Sequence, residues 1–239
     1  MQLQLSKPVG KCPIFSDIAM FKCNRQYFLP HGLIVLSFSK ESVEKRFMRL
    51  YVIRHGESEA NEKGLWAGWH DVSLTEKGMK DAEGVKRILS RYHMDKVYSS
   101  SLKRAKETAR LAVPYLEAEV WHELDEQKLG VLEMMGKEER DSRYGSILPS
   151  CMDSRDFSFF GGEDRDTVQK RVWSFMKEME SEDPDVFIAV FTHFWPMIEM
   201  VSYVLERNVG ADYVFPKNGS VILFDFRYGK WKIEDPFSF

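Results

Sequence analysis

The chain has 239 residues, of which 44% are hydrophobic and 30% charged, and its net charge is -3. That composition supports one domain with a sizeable core and excludes global disorder. The absence of a basic field argues against a nucleic-acid partner, and no apolar run reaches the roughly 20 residues needed to cross a membrane. Gly32 to Phe38 is the longest early apolar run, and it lacks the layout of a signal peptide. Cys12, Cys23 and Cys151 have no C-x-x-C spacing and read as reduced thiols of a cytoplasmic protein.

Residues 1–47 differ from the remainder of the chain. They carry seven Lys/Arg against three acids, a net of +4 that leaves -7 for the other residues. No sustained helical or strand period runs through them, and Cys12, Cys23 and His31 have a spacing that fits no compact metal site. The expected organisation is an N-terminal extension over 1–47, either disordered and dispensable or the result of a misassigned start, and a folded domain over 48–239.

The first convincing strand is Leu50-Tyr51-Val52-Ile53, an unbroken apolar run of the kind buried on both faces of a sheet. It stops at Arg54-His55-Gly56. Ligands of open α/β sheets bind just beyond the carboxyl ends of strands. A guanidinium there offers a fork of donors to phosphate oxygens, a neutral imidazole can attack phosphorus, and Gly56 permits a tight turn or a close approach. A solvated strand end is the alternative that the tripeptide alone leaves open.

Ser73-x-x-Glu76 reads as a capping box for a helix carrying Leu74, Gly78, Ala82, Val85 and Leu89 and ending near Tyr92. A short strand over Lys96–Ser99 leads to a run of serines suited to cap the next helix. That helix has Leu102, Ala105, Ala109 and Ala112 on its apolar face and stops before Pro114. Arg104, in its first turn, stands at a natural anion site. A third short strand over Ala118–Trp121 precedes an acidic loop at Glu126. A polar helix is expected over Lys137–Tyr144, then a loop through Pro149, Phe157, Phe159, Phe160, Gly161 and Gly162 as a lid or substrate wall. Asp164 to Glu180 reads as a helix, and Val186 to Phe191 as a second fully buried strand ending in Thr192-His193. A helix from about Trp195, with Pro196 in its first turn, and a hairpin of Val221–Phe226 with Trp231–Ile233 complete the chain. Strands alternating with helices define an α/β protein, a three-layer α/β/α sandwich with a mostly parallel central sheet.

Several stretches, taken in order, resemble the histidine phosphatase superfamily, the phosphoglycerate mutase-like proteins. They are Arg54-His55-Gly56-Glu57-Ser58 with Asn61, then Gly68-Trp69-x-Asp71-Val72-Ser73-Leu74-Thr75-x-x-Gly78. Ser99-Ser100-x-Leu102-x-Arg104-Ala105-x-x-Thr108-Ala109, Leu124-x-Glu126-x-x-x-Gly130 and Gly161-Gly162-Glu163 come after them. The resemblance implies that His55 attacks phosphorus and carries a phosphohistidine, with Arg54, Arg104 and His193 binding the phosphoryl oxygens. It implies Glu126 as general acid and base and Asn61 as a polar contact of the same pocket; Gly68, Trp69 and Phe194 are expected as further contacts to substrate. It implies no metal and no cofactor. The partner is then a small-molecule phosphate ester, without nucleic acid or membrane, and the oligomeric state stays open.

Two departures bear on activity. Phe194 and Trp195 succeed His193 where the family normally has Gly, so a bulky side chain either narrows the pocket or lines its mouth. Leu65, Ala67 and Leu129 replace the Arg, Thr and Tyr of mutases, and 137–160 show no counterpart of the mutases' paired arginines. A phosphatase is therefore favoured over a mutase, with an inactive phosphate-binding module as a third reading. The aromatics Trp66, Trp69, Phe157, Phe159, Phe160, Phe194 and Trp195 are expected around the pocket, as a wall for an organic phosphate larger than glycerate, or else in the core.

Overall fold

The computed structural model describes residues 26–28, 34–36, 47–183, 185–212 and 215–238. The chain forms two units, Met1–Glu44 and Lys45–Phe239. Within the first, β1 (Gln26–Phe28) and β2 (Ile34–Leu36) pair antiparallel, with Tyr27 opposite Val35. Strands of three residues are too short for an alternation to show in the sequence. Cys12, Cys23, His31 and most of the extension lie outside the described residues.

The second unit begins with β3 (Phe47–Arg54), followed by α1 (Glu59–Glu62), α2 (Glu76–Leu89), β4 (Lys96–Ser99) and α3 (Lys103–Ala112). Then come β5 (Glu119–Val120), α4 (Lys137–Tyr144), α5 (Leu148–Ser154), α6 (Arg165–Met179) and β6 (Val186–Thr192). Helix α7 (Phe194–Val204) and the antiparallel pair β7 (Val221–Arg227) and β8 (Lys230–Ser238) close the unit. Its sheet has the order β5-β4-β6-β3-β7-β8. The first four of these strands are parallel to one another, while β7 runs antiparallel to both of its neighbours.

The continuous apolar runs explain why β3 and β6 are central. Successive side chains alternate between faces, so a strand buried on both faces must be apolar at every position. Leu50, Val52, Ile188 and Val190 face Val168, Val172 and Phe175 of α6 and Met197, Ile198 and Val201 of α7. Tyr51, Ile53, Ala189 and Phe191 face Val85 and Leu89 of α2 and the alanines 105, 109 and 112 of α3. Three layers result. A smaller cluster of Leu129, Leu132, Leu148, Phe157 and Phe160 consolidates the segment between β5 and α6.

Local chemistry departs from the expected pattern at several points. Helix α2 is capped by Thr75, whose hydroxyl accepts from Gly78 N–H at 3.0 Å, and Ser73 instead offers its carbonyl to Glu59 N–H. The helix stops at Leu89, before Tyr92. The boundary residue of α3 is Leu102, which has no capping side chain, and of the serines before it Ser100 and Ser101 donate to Asp125 and Ser99 to the Ser100 carbonyl. The loop expected after Tyr144 contains α5, which buries only Leu148 and so carries no apolar period. Strand β8 extends to Ser238, past a Pro236 that an edge strand tolerates.

Gly56 meets a different demand from a tight turn or an approach to ligand. A Cβ there would lie 2.3 Å from the carbonyl oxygen of Gly78, and one on Gly78 would lie 2.0 Å from Glu57 O. The end of β3 and the start of α2 touch backbone to backbone, which only glycine allows.

Candidate active site

The two central strands end side by side, and His55 N–H donates to Thr192 O at 3.0 Å. The residues just beyond them are therefore neighbours: the rings of His55 and His193 have centroids 5.0 Å apart. Both imidazoles are buried.

Hydrogen bonding assigns the protons. His55 Nδ1 lies 2.7 Å from the carbonyl oxygen of Gly56, which can only accept, so Nδ1 carries the hydrogen. The bare Nε2 receives Arg104 Nε–H at 3.2 Å. Burial, reinforced by the guanidiniums of Arg104 and Arg54, holds the His55 pKa well below its ordinary value. Its imidazole is thus neutral at physiological pH, with an unprotonated nitrogen beside fixed positive charge, and such a nitrogen is a competent nucleophile toward phosphorus.

The arginines are held by backbone oxygens. Arg104 donates to Gly68 O at 2.8 Å and to His70 O at 3.1 Å, and a φ of +50° at Gly68 is part of that turn. Arg54 donates to Pro216 O at 2.7 Å and lies over the Phe194 ring, 5.3 Å from its centroid. Burial lowers the Arg54 pKa to about 10, so it remains cationic at neutral pH.

Glu126 sits at the start of α7. Its carboxylate accepts from the N–H groups of Phe194 and Trp195, both at 3.2 Å, and from Gln127 N–H at 2.9 Å. Amides at a helix start favour a negative charge. The Glu126 carbonyl accepts from Trp69 Nε1 at 2.6 Å and from Arg171 at 2.9 Å. Asn61 Oδ1 accepts from Ser58 N–H and from Asn218, which also reaches His55 O.

Arg54, His55, Asn61, Gly68, Arg104, Glu126 and Phe194 line one cavity of about 440 Å³. His193 is not among the lining residues; it lies fully buried beside His55, its Nε2 bonded to Ser100 Oγ and its Nδ1 without a partner. Trp69, 41% exposed, is outside the lining and braces Glu126 from its backbone. Of the expected aromatics, Trp66, Phe157, Phe194 and Trp195 form the wall, Phe159 is in solvent and Phe160 is in the small cluster under α5. Met152 and Phe215 also line the cavity, and nothing in their sequence context marks them. Arg140 and Arg155, from the segment expected to lack paired arginines, stand over Trp66 at 3.8 Å and Trp195 at 3.9 Å, outside the lining.

The sequence pattern of the histidine phosphatase superfamily (branch 1) matches residues 50–237. Phosphoserine phosphatase 1 of Hydrogenobacter thermophilus is 32% identical over 179 residues, 70% of this chain and 81% of that protein. A 2,3-bisphosphoglycerate-dependent phosphoglycerate mutase of Cytophaga hutchinsonii is 38% identical over 104 residues, 41% of this chain and 47% of the mutase, so that match spans less than half of the relative. In structure, the α-ribazole phosphatase of Shigella flexneri superposes with a TM-score of 0.71 over 80% of this chain and 96% of that one, at 23% identity, a likeness of fold. The protein belongs to the histidine phosphatase superfamily, whose members among these relatives include phosphatases and mutases.

Proposed function

We propose that the protein is a phosphatase, hydrolysing small phosphomonoesters through a phosphohistidine on His55 Nε2. The observation that carries this reading is the cavity itself. It holds one bare imidazole nitrogen bonded by the Arg104 guanidinium, with that of Arg54 in the same lining, and most of the remaining lining is apolar and aromatic. Arg54 and Arg104 are the only cations among the described lining residues, enough for one phosphoryl group. A mutase must also hold a second anionic group, and the lining offers Leu65, Ala67 and Leu129 where such contacts would be made.

In the first step His55 Nε2 attacks phosphorus as the ester P–O bond breaks, and Glu126 takes the proton carried by the incoming monoanionic phosphoryl group and passes it to the departing alcohol. Water then attacks the phosphohistidine, Glu126 takes a proton from it, and phosphate leaves with His55 restored. Arg54, Arg104 and His193 stabilise the charge on the equatorial oxygens in both steps. The wall of Trp66, Phe157, Phe194, Trp195 and Phe215 suits an ester whose alcohol is larger and less polar than glycerate.

The test is turnover of an aryl phosphate at neutral pH, with quenched samples analysed for acid-labile protein-bound phosphate. Wild type should release phosphate and show the acid-labile protein-bound phosphate, and His55→Ala should lose about 10³-fold or more in kcat. Equal turnover by His55→Ala overturns the mechanism, and a preference for 3-phosphoglycerate over bulkier esters overturns the substrate reading.

A further inference from the structure

His193 is held from behind by groups that play no part in the chemistry just described. Its Nε2 lies 2.7 Å from Ser100 Oγ. The serine hydroxyl is in turn 2.7 Å from Asp125 Oδ1 and 3.1 Å from Leu102 N–H. A carboxylate has no hydrogen to give and an amide N–H no lone pair, so the single hydroxyl proton goes to Asp125. Ser100 must then accept from His193, whose Nε2 therefore carries the ring hydrogen and whose Nδ1 is bare. That Nδ1 is buried and has no hydrogen-bond partner. Asp125 is itself buried and fixed by Ser101 N–H at 2.7 Å, Ser101 Oγ at 2.8 Å and His122 Nδ1 at 3.1 Å. It cannot turn away without leaving several donors unpaired.

We propose that Asp125 and Ser100 are positioning residues for oxyanion binding: they fix the ring hydrogen of His193 on Nε2, so that Nδ1 takes up a proton when a tetrahedral oxyanion binds beside His55. This rests on the phosphate-site reading above and adds to it a proton-linked switch in His193. The groups facing His193 are cationic or neutral: Arg54 and His55 at the end of β3, Arg104 on α3 and Arg171 on α6. Together with burial they keep the imidazole neutral. A dianion placed among the same groups reverses the balance, and the proton comes from solvent through the cavity to Nδ1, forming an imidazolium that donates to an anion oxygen. Asp125 stabilises that cation through the Ser100 hydroxyl, as a carboxylate behind an imidazole does in hydrolytic triads.

Tungstate is a suitable probe, because it is a tetrahedral dianion carrying no proton at neutral pH and requires no turnover. Titration calorimetry at pH 7.5 in buffers of different ionisation enthalpy counts the protons. Wild type should take up about one proton per tungstate bound, and His193→Gln close to none. Asp125→Asn and Ser100→Ala should take up less than half of the wild-type amount and bind about tenfold more weakly, since a cation loses its charge-assisted support. Ser100→Ala removes one atom and keeps the test open if Asp125→Asn does not fold. Unchanged proton uptake in both variants, uptake that persists in His193→Gln, or no binding of tungstate by wild type overturns the proposal. If tungstate binds with the expected uptake but no ester is hydrolysed, the relay stands and the phosphatase reading falls.

Discussion

The imidazoles of His55 and His193 stand 5.0 Å apart with their planes at 57°, and each presents one unprotonated nitrogen. Two neutral rings so close to two arginines form a site that is electrically incomplete until an anion enters. Burial makes protonating either ring costly, and the guanidiniums add to that cost.

This predicts how stability depends on pH. Both histidines have folded-state pKa values below the ordinary 6.5, so below pH 6.5 the unfolded chain binds more protons than the native one. Their contribution is fully present above about pH 6.5 and is lost as pH falls through that value toward the folded pKa, at about 1.4 kcal/mol per pH unit for each ring. The midpoint of urea unfolding should therefore fall between pH 6.5 and pH 5, and more gently in His193→Gln. An identical slope in the variant would count against the assignment.

Trp69 should act on Glu126 and leave binding alone. Its indole holds the Glu126 carbonyl at 2.6 Å but stays out of the cavity lining. Trp69→Phe removes one hydrogen bond worth about 1 kcal/mol, so kcat should drop about fivefold with KM little changed. A rise in KM at constant kcat would instead place Trp69 in contact with substrate.

Phe194 should discriminate by size. Its ring lines the cavity, held between Arg54 and Phe215. Phe194→Ala should raise KM about tenfold for an aryl phosphate, while leaving a small alkyl phosphate within about twofold, because only the larger group reaches the wall. Parallel losses on both esters would show that Phe194 serves the phosphoryl site.

Gly56→Ala tests the backbone contact beside His55. The added Cβ would meet Gly78 O at 2.3 Å, and neither backbone segment can yield without moving β3 or α2. A cost of about 3 kcal/mol is expected, seen as a lowered thermal midpoint, with activity lost at temperatures where the variant stays folded. A midpoint within about 2 °C of wild type, roughly 0.5 kcal/mol for a chain of this size, would contradict the contact.

How far each part is legible in the sequence depends on whether its cause is local. The central strands β3 and β6 are plain because burial on both faces leaves no freedom of composition, and their ends carry the histidines with them. Arg104 is readable from its place in a helix start. Helix α5 is not, since a helix that buries a single leucine has no period to detect. The cap of α2 is Thr75 and not Ser73, because both are plausible caps and only the tertiary contact with Glu57 selects one. Ser100 and Asp125 stand inside the recognisable stretches, but serines before a helix read as caps, and the bond from Ser100 to His193 spans 93 positions. Asn218, which ties His55 to Asn61, lies in a loop with no local signal of its task.

The start of α7 governs two different groups at once. His193 is the residue on which the helix begins, and the next two amides grip the Glu126 carboxylate. Any tilt or slide of that helix would carry the Glu126 carboxylate and the His193 imidazole together, so their mutual alignment is insensitive to its movement. New substrates are then accommodated most easily by exchanging the rings of the wall, one at a time, while the machinery at the floor keeps its geometry.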